Sequence, residues 1–146
     1  MSIFRSIDTS ASGLTAERLR MDVISNNIAN VNTTRTEDGG PFRREMPIFQ
    51  ARRQNGHFPF QERTLPNMVG SGVRVTTIMK DQTPFKLIYD PNHPDADKDG
   101  YVRMPNINIV HEMVDMITAT RAYEANVTSI NSSKDLITSA LSIGRR

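Results

Sequence analysis

The sequence contains no cysteine and no tryptophan, and aromatic residues of any kind make up only 6% of its 146 residues. Without cysteine, disulfide bonds, thiolate metal sites and thiol-based catalysis are all excluded. An excess of one charge is also missing, because 18 basic and 16 acidic residues leave a net charge of +2. That surplus is too small to predict nucleic-acid binding, which needs a clustered basic face.

Long hydrophobic runs are absent as well. No apolar run approaches the roughly 20 residues that span a bilayer. The first residues, MSIFRSIDTSASG, lack the apolar stretch of a cleaved secretory signal, so we expect any export to proceed without a cleaved signal peptide. With 37% hydrophobic residues and a mean hydropathy of −0.46, the chain can bury only a modest core. We expect neighbouring subunits to cover part of its apolar surface.

The N-terminal stretch, from Ser2 to about Ala29, has the periodicity of an amphipathic helix. Its apolar residues recur in steps of three and four, with polar interruptions at Arg18 and Ser25. The stripe consists of Phe4, Ile7, Ala11, Leu14, Met21 and Ile28. Gly13 lies inside this stretch and costs about 1 kcal/mol of helix propensity relative to alanine, so the helix is not optimised locally.

The C-terminal stretch is more regular and predicts a second, longer helix that starts at Ile109. Its positions are spaced by four and three in alternation, which is the pattern of a coiled coil. The stripe consists of Ile109, Met113, Met116, Thr120, Tyr123, Val127, Ile130, Lys134, Ile137 and Leu141. A helix of about 35 residues would be roughly 50 Å long, which a small domain cannot bury alone. We therefore predict that this helix packs along another long helix.

The middle of the chain is rich in glycine, proline and turn-forming residues and predicts a small β region. Residues 44–53 (REMPIFQARR) could form one strand, which Pro47 would confine to a sheet edge. Residues 73–79 (VRVTTIM) and 85–89 (FKLIY) are further strand candidates. The predicted fold is therefore mainly α, with long N- and C-terminal helices packing as a coiled coil and an irregular middle that contains a β-hairpin.

Three segments follow from this pattern. Residues 1–34 form the N-terminal helix and its asparagine-rich end, residues 35–106 form the loop and β region, and residues 107–146 form the C-terminal helix.

Residues 95–100 (DADKDG) match the first half of an EF-hand calcium loop, with acids at positions 1, 3 and 5 and glycine at position 6. The twelfth position is Asn106, where a bidentate glutamate is needed, and Pro91 and Pro94 interrupt the entering helix. Aspartate and glycine are also common in ordinary turns. We therefore assign the loop to structure and subunit contact, and predict no metal site and no cofactor.

Residues 111–115 (HEMVD) resemble half of a zinc-hydrolase helix motif, but Asp115 stands where the second histidine is needed. Glu112 and Asp115 also fall off the apolar stripe, where solvated charges are expected. Nucleic-acid binding on a sheet needs aromatics between basic residues. The local basic group consists of Arg43, Arg44, Arg52, Arg53 and Arg63, and we interpret it as a solvated or subunit-facing surface because these arginines do not alternate with aromatic residues along a strand. The sequence therefore predicts no enzyme, no small-molecule substrate and no nucleic-acid partner.

Residues 25–33 (SNNIANVNT) end the first stripe with four asparagines and a threonine. Asparagine tolerates the left-handed backbone and bonds nearby backbone groups, so the string suits a helix C-terminus. It also resembles the N-terminal signature of the flagellar axial proteins (rod, hook and hook-associated subunits), close to S-x-N-I-A-N-x-N-T. Residues 112–117 (EMVDMI) and 121–126 (RAYEAN) are similar to the C-terminal helix signature of the same family.

Within that family, the short middle resembles one component of the proximal rod. The resemblance implies a self-assembling structural subunit of the drive shaft that transmits torque from the membrane ring towards the hook and is required for motility. It implies a periplasm-spanning location in the basal body. The implied partners are other rod subunits, membrane-ring and rod-junction proteins, copies of itself and, during secretion, the flagellar type III export apparatus.

We predict an assembly interface on the two stripes and the asparagine-rich turn. It consists of Phe4, Ile7, Leu14, Met21, Ile28, Asn30, Asn32, Met113, Met116, Tyr123, Val127, Ile130, Ile137 and Leu141. The alternative is a small coiled-coil adaptor or export chaperone that forms no filament. Such a protein would also show heptads, but it would have little reason to end its first helix with SNNIANVNT.

Overall fold

The computed structural model describes residues 3–37, 39–52 and 72–144. The elements are α1 (Ile3–Ala29), β1 (Glu45–Ala51), β2 (Val73–Lys80), β3 (Lys86–Tyr89), β4 (Tyr101–Met104) and α2 (Ile109–Ile143). The prediction of a mainly α chain, with long terminal helices and a small middle that contains β-hairpins, is confirmed. Arg53 and Arg63 of the predicted basic group lie outside the described residues.

The two helices lie side by side and run antiparallel. Ser10 Oγ is 3.2 Å from Ser129 Oγ, and towards the other end of α1 Asn27 Nδ2 is 3.0 Å from Glu112 Oε2. The same pairing places the start of α1 opposite about residue 136 of α2. The exposed side chains of Leu141 and Ile143 therefore lie beyond the end of α1, and α2 packs on its partner over most of its length.

Side-chain hydrogen bonds satisfy main-chain groups at the C-terminal end of α1 and at the N-terminal end of α2. Asn30 Nδ2 donates to the carbonyl oxygen of Asn26 over 2.9 Å, so an asparagine side chain joins the main chain in closing α1. No residue other than glycine has a positive φ in the described ranges. The left-handed asparagine that the string suggested is therefore not found there. Asn108 caps the start of α2, because its Oδ1 accepts from the Val110 N–H over 3.1 Å.

The middle forms two antiparallel sheets of two strands each. β1 pairs with β2, with Glu45 opposite Lys80 and Ala51 opposite Val73. Pro47 lies in β1, where it is tolerated because each strand of a two-stranded sheet is an edge strand. β3 pairs with β4, a four-residue strand that was not predicted from the sequence.

The β1–β2 hairpin lies lengthwise along α1. Near one end, the Asn27 side chain accepts from Glu45 N and donates to Glu45 O, each over 2.9 Å. Towards the other end, Ser12 Oγ accepts from Val73 N over 3.0 Å. Between the elements, the buried apolar side chains among the described residues are Ala16, Val23, Ile24, Val102, Pro105, Ile107 and Ala119. The core is as small as the composition suggests.

Candidate assembly surface

Most of the predicted interface residues on the two helices flank the contact between them. On α1, Phe4 is 75% exposed, and the half-buried members are Ile7, Leu14, Met21 and Ile28. On α2, the half-buried members are Met116, Tyr123, Val127, Ile130 and Ile137, and the exposed ones are Met113 and Leu141. Asn30 is half-buried and Asn32 is exposed. The structure thus places most residues of both stripes beside the helix contact with part of their surface exposed, whereas Met113 lies towards the outer side of α2 and Leu141 lies beyond the end of α1.

The line of closest contact, which we call the seam, is made mostly of small and polar residues, and beside it α1 also buries Val23 and Ile24. It consists of Ser10, Gly13, Ala16 and Asn27 on α1 and of Glu112, Ala119, Asn126 and Ser133 on α2. The α2 members recur every seven residues and so form one row of the helix. A Cβ at Gly13 would lie 2.9 Å from Asn126 Nδ2. Glycine therefore permits a closer approach here than any other residue.

A seam of small residues leaves the larger apolar side chains at the sides of the helix contact, where they are only partly buried. The spacing of two packed helices depends on the side chains between them, and small ones bring the axes together. A close contact through Ala119 and Ser133 nevertheless buries little apolar area. The larger side chains beside the seam, including Tyr123 and Ile130, keep part of their surface free.

A second apolar surface lies on the first turns of α2, on the face away from the seam. We call it the α2 outer patch; it consists of Val110, Met113, Val114 and Ile117, each more than half exposed. Further along α2 the same face carries polar residues, among them Arg121, Glu124 and Thr128. A contiguous exposed apolar patch with a polar border is typical of a protein–protein contact site.

Both hairpins also expose apolar side chains. On the β1–β2 hairpin these are Ile48, Phe49, Ile78 and Met79, and on the β3–β4 hairpin Leu87, Ile88, Tyr89 and Tyr101. Tyr89 and Tyr101 pack edge to face with their ring centres 5.3 Å apart. Two-stranded sheets are marginal on their own, so these surfaces too are suited to cover by other chains.

The expectation that Glu112 and Asp115 are solvated is wrong. Glu112 is 0% exposed, and its Oε1 lies 2.6 Å from Arg44 Nε. Asp115 is half-buried between two arginines, 3.3 Å from Arg44 Nη2 and 3.4 Å from Arg20 Nη2. A buried carboxylate is tolerated when a cation and hydrogen bonds compensate it. Arg44 immediately precedes β1, far from α2 along the chain, so the spacing of residues along the helix could not reveal it.

We call Asn27, Arg44, Glu112 and Asp115 the polar junction, because both helices and β1 meet there. Asn27 Nδ2 donates to Glu112 Oε2 over 3.0 Å. The main-chain N–H of Arg44 donates in turn to Asn106 Oδ1 over 2.9 Å, which fixes the arginine to the connection that precedes α2. Sequence reasoning missed this cluster, although Asn27 and Glu112 both lie in the strings that resemble the axial signatures.

Asn106, at the twelfth position of the calcium-like loop, forms hydrogen bonds within the chain. Its Nδ2 donates to Thr83 Oγ1 over 2.7 Å. The nearby Thr83 N–H donates to Asp81 Oδ1 over 2.9 Å, and this main-chain hydrogen bond lowers the pKa of Asp81 below its ordinary value. Asp95, at the first position of the loop, accepts from Thr34 Oγ1 over 2.7 Å. Both ends of the motif therefore join separate parts of the chain.

The described ranges contain no group of three or more histidine, cysteine, aspartate or glutamate residues that could hold a metal ion. None of the helices in the described part of the chain is long and apolar enough to cross a membrane. The arrangement offers contact surfaces built on a helix pair.

Comparisons with known proteins place the resemblance on both helices. The model of the flagella basal body rod protein family matches residues 7–35, and that of the flagellar basal body rod FlgEFG protein C-terminal region matches residues 98–143. A flagellar basal-body rod protein FlgC from Borreliella burgdorferi is 58% identical over 149 residues, which cover 98% of each chain. Similar proteins of the same description from Bacillus subtilis and Salmonella typhimurium are 42% and 33% identical over 99% of this chain and 100% of theirs.

Proposed function

The chain belongs to the FlgC family of flagellar basal-body rod proteins, and from this premise we propose that its two stripes and the α2 outer patch form the surface on which it assembles with other rod subunits. It is a structural subunit of the rod in the flagellar basal body and not an enzyme. The alternative of a coiled-coil adaptor or export chaperone finds no support in the comparisons.

One observation carries the assembly proposal. On α2 the buried residues of the seam are small or polar, namely Glu112, Ala119 and Ser133, whereas the larger apolar residues of that helix stay half-buried or exposed. A subunit that worked alone would gain stability by turning those larger residues inward. Leaving them at the surface is favourable when other chains cover them.

The finer placement follows the family resemblance. The subunit lies in the proximal rod, where its neighbours are other rod proteins, membrane-ring and rod-junction proteins and copies of itself. Torque then passes from the ring towards the hook through contacts that are repeated at every subunit. Before assembly, the flagellar type III export apparatus carries the chain.

The α2 outer patch provides the direct test. Val114→Asp and Ile117→Asp, each in a strain that lacks the native gene, should abolish swimming and remove the chain from purified basal bodies. An aspartate at a buried subunit contact costs several kcal/mol, roughly, at each contact. Both side chains are more than half exposed in the single chain, so the free energy of unfolding of the monomer should change by less than about 0.5 kcal/mol.

The matched control is Ser132→Asp, which adds the same charge at an exposed polar position of the same helix. Its cells should swim as the parent cells do. The proposal is refuted if Val114→Asp and Ile117→Asp cells swim normally and their basal bodies keep a normal amount of the chain.

A further inference from the structure

The seam by itself allows more than one register between the helices. On α2 its row is Glu112, Ala119, Asn126 and Ser133, and only the first of these is charged. A slide of α2 by seven residues would place Ala119 or Ser133 opposite Gly13 in place of Asn126. Both replacements are smaller than asparagine, so the close approach at Gly13 would not oppose the slide.

The polar junction does oppose it. In the observed register, Glu112 accepts a hydrogen bond from Asn27 and forms an ion pair with Arg44, so each of the three side chains has a polar partner. A slide by seven residues would move the carboxylate about 10 Å along the axis. Asn27 would lose its bond to Glu112, and Arg44 would lose its closest carboxylate. Buried polar groups without partners are costly, so the junction strongly favours one register.

We propose that the polar junction fixes the register of α2 on α1, with Glu112 as the positioning residue. Arg44 is held in place by Asn106 through its main chain, and Asn27 holds the adjacent Glu45 by both main-chain atoms. The junction therefore links the register of the helices to the position of the β1–β2 hairpin. As a consequence, the stripes and the hairpins occupy the same relative positions along the helix axis in every copy of the chain.

The proposal concerns contacts within one chain and is independent of whether the α2 outer patch is an assembly surface. The main competing explanation is the connection before α2, where Asn106 bonds to Arg44 and Thr83. If that connection alone fixed where α2 lies, Glu112 would be unnecessary for the register. The two explanations predict different behaviour for variants of Glu112 and Asn106.

Disulfide trapping can measure the register, because the chain contains no cysteine. Ser10→Cys with Ser129→Cys reports the observed register, since the two hydroxyl oxygens are 3.2 Å apart. Ser10→Cys with Ala122→Cys, and Ser10→Cys with Leu136→Cys, report registers shifted by seven residues in either direction. Each full-length purified chain is oxidised mildly, and the intramolecular disulfide is quantified by mass spectrometry.

In the otherwise unchanged chain, the 10–129 disulfide should exceed each of the other two by at least about tenfold, because a lost charged hydrogen bond shifts the equilibrium that much or more. Glu112→Met keeps the length of the side chain and removes its charge, and it should bring the three yields to within about threefold. Glu112→Gln retains a hydrogen-bonding side chain and should restore most of the preference. Asn106→Ala should leave the preference unchanged, because the Asp81 N–H also holds the main chain of Arg44 by donating to its carbonyl oxygen over 2.8 Å.

Four results would overturn the proposal. The first is a preference for 10–129 that survives Glu112→Met, and the second is a preference that Asn106→Ala abolishes. The third is equal yields of all three disulfides in the otherwise unchanged chain. The fourth is loss of helical circular dichroism in Glu112→Met, because the junction would then hold the fold together rather than choose the register.

Discussion

Asn27 and Glu112, 85 residues apart in the chain, meet in a buried hydrogen bond of 3.0 Å between the amide Nδ2 and the carboxylate Oε2. Asn27 lies in the asparagine-rich string at the end of α1, and Glu112 opens the EMVDMI string on α2. The two strings that resemble the N- and C-terminal signatures of the axial family thus supply the two sides of one contact. In this chain, both residues have a structural reason to be where they are.

Asn27→Ala should lower the free energy of unfolding by about 2–4 kcal/mol. The substitution removes the bonds to Glu45 N, Glu45 O and Glu112 and leaves a buried carboxylate with less compensation. Urea denaturation followed by circular dichroism measures the change. Asn32→Ala, at an exposed position, is the control and should change it by less than about 0.5 kcal/mol. Equal effects of the two substitutions would contradict the role assigned to Asn27.

Gly13→Ala should be nearly neutral in the parent chain but stabilising once Asn126 is shortened. Alanine gains about 1 kcal/mol of helix propensity over glycine, but its Cβ would lie 2.9 Å from Asn126 Nδ2. In the Asn126→Ala background this crowding is removed, so the propensity gain of about 1 kcal/mol should appear in full. Thermal or urea unfolding of the parent chain, the two single variants and the double variant measures the free energy of unfolding of each. A gain of the same size in both backgrounds would show that the helices are not in close contact at Gly13.

Ile130→Asp should abolish swimming while the protein is still made and exported. Ile130 is half-buried beside the seam, and an unpaired carboxylate covered there by the partner helix or a neighbour costs several kcal/mol, roughly, in every subunit. Asp135→Ala, at an exposed position of the same helix, should leave swimming nearly intact. A motility assay with an export control measures both. Normal swimming of Ile130→Asp cells would exclude the predicted stripe from the assembly surface.

Calcium should neither bind the loop at residues 95–100 with micromolar affinity nor raise the Tm of the chain. Asp95 already accepts a hydrogen bond from Thr34, and Asn106 is engaged with Arg44 and Thr83. A ligand that binds only the folded state stabilises it by RT ln(1 + [L]/Kd) and so raises the Tm as its concentration exceeds the Kd. Titration calorimetry and a thermal melt with and without calcium measure the two quantities. Micromolar affinity would reverse the assignment of this loop to structure.

The sequence by itself determined the elements of this protein and its family. The apolar period predicts a helix over residues 2–29 and another from Ile109, within a residue of the observed α1 and α2. Alternation and β-branched residues identify three of the four strands. These features depend on neighbours a few residues apart, so they can be read along the chain. The family resemblance is likewise carried by short local strings.

Only the tertiary structure decided which face of each helix is buried. The first turns of α2 carry apolar residues on several sides, including Ile109, Val110 and Val114, so the period alone does not select a face. The row of Glu112, Ala119 and Ser133 faces α1 because small residues let the helices approach closely and because Arg44 and Asn27 compensate the carboxylate. Both partners are more than 65 residues away in the chain. Pairing over such a distance exists only once the chain has folded.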